Sequence, residues 1–287
     1  MRSLRLFAIA VPVVALSAVA AALGAQSDWQ KSYPVSGKPS LTVSTGDASV
    51  EVHSCGCREI RIRVQWNDRH ADDYTINEFQ SGDHVNFELK EKQHFGFHVG
   101  INHREPHVTV ETPAELDLEA RTSDGSLKVY GVNGTIALHT SDGAVDVSDV
   151  SGAIRLVASD GSIRIHNVTG TLESKSSDGH VSIDGKLSAV QVHTSDGALE
   201  LTLAEGSQLT TSSRIEASDG SVKIRLPRTL AADLDIHTGD GHIDCQLPLT
   251  MSGYNSGGGH NIRGRLNAGG TPLTIHTSDG SVTIAAL

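Results

Sequence analysis

The sequence predicts an all-β chain wound as a parallel β-solenoid, with short strands stacked coil upon coil. Three observations carry this reading. Ser-Asp-Gly recurs with its aspartate at Asp124, Asp142, Asp160, Asp178 and Asp196, a constant step of 18 residues. Around every copy apolar and polar residues alternate, the period-2 signature of a strand with one buried face. Aromatic residues make up 4% of a chain that holds 29 glycines, which suits a thin aliphatic interior better than a globule built on large rings. A strand–turn unit this short cannot bury its apolar face alone. Equal units must cover one another, so a fixed repeat implies a stack.

Alignment on the aspartate, extended to Asp219, Asp240 and Asp279, gives the columns of the stack. Four residues before it stand Leu138, Leu156, Val192, Ile215, Ile236 and Ile275, with Ala120 and Ser174 as weaker members. Three and five after it come pairs such as Leu127/Val129, Val145/Val147, Ile163/Ile165 and Val181/Ile183, ending with Ile243/Cys245 and Val282/Ile284. Their β-branched character favours strands. Two before it the residue is always small: Thr122, Thr140, Ala158, Ser176, Thr194, Ala217, Thr238, Thr277. Asp-Gly is expected to form one corner, glycine by adopting positive φ and aspartate by bonding nearby amides. Asn133-Gly134, Ser151-Gly152 and Thr169-Gly170 are expected to form a second. Coils paired in parallel would lie about 4.8 Å apart.

From the N-terminus, residues 1–25 read as a cleaved secretory signal: Arg2 and Arg5, an uncharged apolar run over 6–23, then small residues before Gln26. An uncleaved anchor is the rival. Either way the chain is expected to be exported, to the periplasm, the cell envelope or the medium. Residues 26–115 hold a first coil (41–52) and an irregular strand-rich region, with alternation over 60–66, 85–89 and 108–110, expected to cap or flank the stack. Residues 116–287 are the regular solenoid. Beyond Asp196 the aspartate intervals become 23, 21 and 39. The longest leaves room for an extra coil over 254–268, with a glycine-rich loop at 256–259. The sequence stops just after the strand 282–284, which is expected to leave an open edge with apolar Ile284 and Leu287, and so a place for self-association.

Several stretches resemble a bacterial family, the putative-adhesin domain of unknown function. They are Val108-Thr-Val-Glu-Thr-Pro113, Leu116-Asp-Leu118, the repeated Thr-Ser-Asp-Gly-x-Val, Ile262-Arg-Gly-Arg-Leu-Asn-Ala-Gly-Gly270 and Leu273-Thr-Ile-His-Thr-Ser-Asp-Gly-Ser-Val-Thr-Ile284. The resemblance spans about residues 41–287. It implies a single-stranded, right-handed parallel β-helix on an exported or envelope-associated protein, and it brings no catalytic residues.

Candidate chemistry is sparse. The aspartate ladder (Asp124, Asp142, Asp160, Asp178, Asp196, Asp219, Asp240, Asp279) reads as a structural row of turn residues. Calcium would suit stacked carboxylates, but the glycines of the calcium-binding β-roll are missing. His94, His98, His103 and His107, with His84 nearby, have a spacing that can hold zinc or copper, though no cysteine or acid is fixed beside them. His139, His193, His237 and His276 share one outward column, a solvated face unless it senses pH or binds metal, with only His237 and His276 candidates for direct neighbours. Cys55 and Cys57 are expected to form a structural disulfide or two free thiols, and Cys245 to be a core thiol. A formal charge of −11 argues against nucleic acid as a partner.

No nucleotide loop, zinc-protease motif or distinctive nucleophile stands out. The expected function is therefore a non-catalytic exported module, without cofactor, that presents an acidic, threonine-rich surface to an unknown protein or glycan of the cell envelope. The alternatives are a metal-binding surface module (calcium, zinc or copper) and a polysaccharide-active β-helix enzyme, which would need paired carboxylates in a cleft.

Overall fold

The computed structural model describes residues 28–67, 71–92, 105–251 and 260–287. The expected signal segment and the 256–259 loop lie outside these residues. The described chain is almost wholly strand. It runs β1 (Trp29–Pro34), β2 (Ser40–Thr45), β3 (Ser49–Cys55), β4 (Glu59–Gln65), a single 3-10 turn (Ala71–Asp73), β5 (Tyr74–Ser81), β6 (His84–Glu91) and β7 (His107–Pro113). The middle is β8 (Asp117–Arg121), β9 (Leu127–Tyr130), β10 (Asn133–Thr140), β11 (Val145–Ser148), β12 (Ser151–Ala158), β13 (Ile163–Ser176), β14 (Val181–Thr194) and β15 (Leu199–Leu203). The end is β16 (Ser213–Ala217), β17 (Val222–Leu226), β18 (Ala232–Thr238), β19 (Ile243–Cys245), β20 (Leu249–Met251), β21 (Asn261–Leu266), β22 (Pro272–Thr277) and β23 (Val282–Ala286). Among the described residues no helix is long and apolar enough to cross a membrane.

The strands wind as one solenoid-like sheet with two faces. On the first face β2, β8, β10, β12 and the later part of β13 follow one another in parallel, with Asn133 beside Ser151 and Ser151 beside Thr169. On the second, β3, β9, β11 and the earlier part of β13 do the same, with Leu127 beside Val145 and Val145 beside Ile163. The aliphatic columns fill the space between. Leu138, Leu156, Ile163, Ile165, Ile215 and Ile275 are each at most 2% exposed, and the weak members Ala120 and Ser174 are buried with them. Burial of one such aliphatic side chain contributes about 1.5–3 kcal/mol.

The Ser-Asp-Gly corners are tied by backbone. The Asp142 amide donates to the Ser123 carbonyl at 3.0 Å, and Asp160 to Ser141 at 3.0 Å. Glycine is required here for a different reason than its freedom of φ: among the corner glycines from Gly125 to Gly280, none adopts positive φ. A Cβ on Gly143 would instead stand 1.9 Å from the Gly125 carbonyl oxygen, and one on Gly161 1.9 Å from that of Gly143. Successive corners approach too closely for any side chain. The aspartate side chains are exposed and form no hydrogen bond or ion pair with another described residue, so the expected bonding of Asp to local amides is not how this turn is held.

The threonine column is also placed differently from expectation. Thr122, Thr140, Thr194, Thr238 and Thr277 are at most 4% exposed. Thr140 Oγ1 accepts from the Gly143 amide (3.0 Å) and donates to the Ser123 carbonyl of the preceding coil (3.1 Å). These hydroxyls stitch the corners from inside, and the threonine-rich surface expected of them does not exist. Most buried hydroxyls are hydrogen-bonded, and the corner supplies both partners to Thr140; Ser176, in the same column, is buried with its Oγ unpartnered. The second bend begins earlier than expected, at left-handed Gly131, Asp149 and Asn167 (φ 69, 55 and 51). It closes at Gly134, Gly152 and Gly170 (φ 152, 125 and 130), which lie within β10, β12 and β13.

At both ends the spatial order departs from the chain order. The β2/β3 coil has β8/β9 on one side and β6/β7 on the other. Antiparallel β5, β4 and β1 complete that end. At the far end β22/β23 is tucked between β16/β17 and β18/β19. The last strand thus has a neighbour on each side, and the open edge expected at 282–284 is absent. The described part of the extra coil expected over 254–268 does not join the parallel stack: β21 runs antiparallel on β18, and β20 antiparallel on β21. Cys245, expected in the core, is only half-buried on the short strand β19, and burial still pushes its thiol pKa up.

Candidate functional site

Residues that alternate outward from the first face make a continuous strip along the stack. One column runs Arg121, His139, Val157, Lys175, His193, Glu216, His276, His237 in spatial order. The column beside it carries Glu119, Ala137, Arg155, Glu173, Gln191, Arg214, Thr274 and Asp235. The strip is laced with ion pairs: Arg121 with Glu119, Arg155 with Glu173 (3.2 Å), Lys175 with Glu173 (3.3 Å), Arg214 with Glu216 (2.6 Å) and Arg263 with Asp235 (3.0 Å). The Arg214 guanidinium beside it holds the Glu216 carboxyl below its usual range. Three open depressions lie along this strip, the largest about 580 Å³ and bordered by Arg214, Glu216, Asp235, His237, Arg263 and His276.

The expected neighbours His237 and His276 are brought together. They face each other in register across β18 and β22, their rings stacked at 5.1 Å with planes 9° apart. The other expected cluster falls mostly outside the described residues. His94, His98 and His103 lie outside the described residues. His84 stands on β6 of the first face beside Ser40, its Nδ1 at 3.2 Å from Ser40 Oγ, while His107 is on β7 of the second.

His107 has partners that sequence reasoning missed. Its Nδ1 is 2.7 Å from Ser49 Oγ and its Nε2 is 3.2 Å from Glu51, which also meets His53 Nε2 at 2.7 Å. Tyr130 stacks on His53 at 5.1 Å. The signal was present in Ser49-Val-Glu-Val-His53, whose alternation puts Ser49, Glu51 and His53 on one side of a strand. Only the β3–β7 register brings His107 beside them. On the same face His166 Nδ1 is 2.8 Å from Asp184, a bond that raises the histidine pKa. Cys55 and Cys57 are joined in a disulfide. Among the described residues no group of three or more His, Cys, Asp or Glu is placed to hold a metal ion.

A two-faced coil with tied Gly corners, repeated over nearly the whole chain, agrees with the profile of the Toastrack DUF4097 family, which matches residues 39–285. The chain belongs to the Toastrack DUF4097 family. This Toastrack domain is also similar in fold to solved structures of low identity. One is a putative cell adhesion protein from Clostridium sporogenes, at 12% identity and TM-score 0.33, covering 91% of this chain and 100% of the other. Another is a putative adhesin from Bacteroides fragilis, at 11% and 0.45, covering 91% and 98%. A third is a putative lipid binding protein from Parabacteroides distasonis, at 12% and 0.34, covering 90% and 96%. No curated protein matches the chain.

Proposed function

We propose that this Toastrack domain is a non-catalytic, exported module of the cell envelope that binds an extended protein or glycan along its first face. In this reading the coils wind as a right-handed, single-stranded helix of about 18 residues per turn, and the exposed aspartates serve the corners. The observation that carries the proposal is the open strip itself. Acids and bases are interspersed along it, paired at Glu119 and Arg121, Arg155 and Glu173, Arg214 and Glu216, and Asp235 and Arg263. Each exposed pair adds little to stability, about 0–1 kcal/mol. Such a row offers donors and acceptors along its whole length to a partner as long as the stack, with rungs roughly 4.8 Å apart.

The test is a binding screen of the full chain against peptidoglycan fragments, surface polysaccharides and envelope proteins, repeated with Arg121, Arg155 and Lys175 all changed to Glu. Binding by the native chain that is lost in the triple variant supports the strip as the contact surface. Binding that the triple variant retains, or turnover of a polysaccharide by the native chain, overturns it.

A further inference from the structure

We propose that His237 and His276 form a two-histidine chelate for a divalent transition-metal ion of the copper or zinc class. Parallel β18 and β22 place the two side chains directly opposite each other, and their rings already stand face to face at 5.1 Å, 9° from parallel. An ion bound at about 2.0–2.1 Å by each imidazole needs the two nitrogens no more than about 4 Å apart. Both side chains are exposed, so rotation about their own χ angles closes that distance without moving the strands.

The nitrogens are available. Neither ring hydrogen-bonds to another described residue, whereas His53, His107, His166 and His193 are each committed to a carboxylate. A ligating imidazole must be neutral with a free lone pair, and imidazole suits copper and zinc. Glu216 lies one rung beyond His276, and Asn261 lies across from His237 on the other side. Glu216 is already paired with Arg214 and His193, so it and Asn261 give the ion a polar flank rather than a third ligand. The adjoining depression of about 580 Å³ leaves room for the waters that complete coordination. His139, in the same column, has Arg121 and Val157 for neighbours and so lacks a second imidazole.

The position gives the ion a structural consequence. His237 and His276 are 39 residues apart in sequence (276 less 237), and they meet only because β22 is tucked inside β18. A bound ion would staple this joint. Because it binds the folded chain, it would raise the melting temperature in proportion to its occupancy.

The experiment is titration of the chelator-treated full chain with Cu2+ and Zn2+, read by calorimetry and thermal melting, for the native chain and for His237→Ala, His276→Ala and His139→Ala. The native chain and His139→Ala are expected to bind one ion at this site and to melt higher with it. Each of the other variants should bind at least about tenfold more weakly and lose the shift. In the unmodified protein, Cu2+ should broaden the ring resonances of His237 and His276 ahead of that of His139. Metal binding and stabilisation that survive in a His237→Ala/His276→Ala double variant assign the ion elsewhere and overturn the proposal, as does equal broadening at His139.

Discussion

The middle of the stack and its far end obey the same rules in different chain orders. From Asp142 to Asp196 each corner amide donates to the serine carbonyl one coil earlier in sequence, as Asp178 does to Ser159 (3.1 Å). At the far end Asp279 donates to Ser218 (3.0 Å) and Asp240 to Ser278 (2.9 Å), so the spatial order is 219, 279, 240. The hydroxyl ties follow: Thr277 Oγ1 donates to Ser218 and Thr238 Oγ1 to Gly280, both at 3.1 Å. The glycine contacts follow too, with Gly280 against Gly220 and Gly241 against Gly280, each at 2.0 Å from a Cβ position. The columns therefore belong to the corner motif, and chain succession is incidental to them. Every coil shows its neighbour the same backbone edge, so a coil arriving late in the chain can dock wherever that edge is open and its linker reaches.

The comparison breaks first at glycine. Gly161→Ala in the middle and Gly280→Ala at the tucked coil would each drive a Cβ to about 2 Å from a backbone oxygen. Both are expected to cost about 3 kcal/mol or more, seen as a large fall in melting temperature or loss of soluble protein. If Gly280→Ala is tolerated while Gly161→Ala is not, the tucked coil is more loosely held than the middle.

Threonine sharpens the same comparison at smaller cost. Thr140→Val and Thr277→Val each remove a buried hydroxyl that bonds in two directions, and each should lose about 1–3 kcal/mol in denaturant melts. Ala158 occupies that column without a hydroxyl. Ala158→Thr should restore the tie and gain about 0.5–1.5 kcal/mol; a loss instead would mean the site has no room for the side chain.

The smallest effect is a pH dependence that differs between the two regions. In the middle, the bond to Asp184 raises His166 above its ordinary value. Its contribution is full below that ordinary value and is lost as pH rises through the raised one. Where β16 meets the tucked coil, Arg214 lowers Glu216, so its contribution is present above the ordinary glutamate value and lost as pH falls through the lowered one. His166 is exposed and Glu216 about one-third exposed (34%), so solvent screens both pairs and the effects are small. Melting curves of His166→Gln should therefore part from the native chain only on the acid side, and those of Glu216→Gln only toward neutral and alkaline pH. The reverse pattern would contradict the assigned pairs.

Much of this was legible in the residues. The 18-residue step, the aliphatic columns and the corner positions follow from short-range chemistry, because alternation and turn residues act within a few positions of one another. The adjacency of His237 and His276 could be expected only on condition that no coil separated them. Glu51 beside His107 could not be expected, since their bond spans 56 positions (107 less 51) and depends on which strands pair.

What the sequence determined alone was which side of each strand is apolar and where the chain must turn, since both are properties of neighbouring residues. What the tertiary structure decided was the order of the coils, the inward position of the threonines and the close contact that demands glycine. Those depend on one coil lying against another, and identical backbone edges leave that choice to loop length and to the packing of the whole.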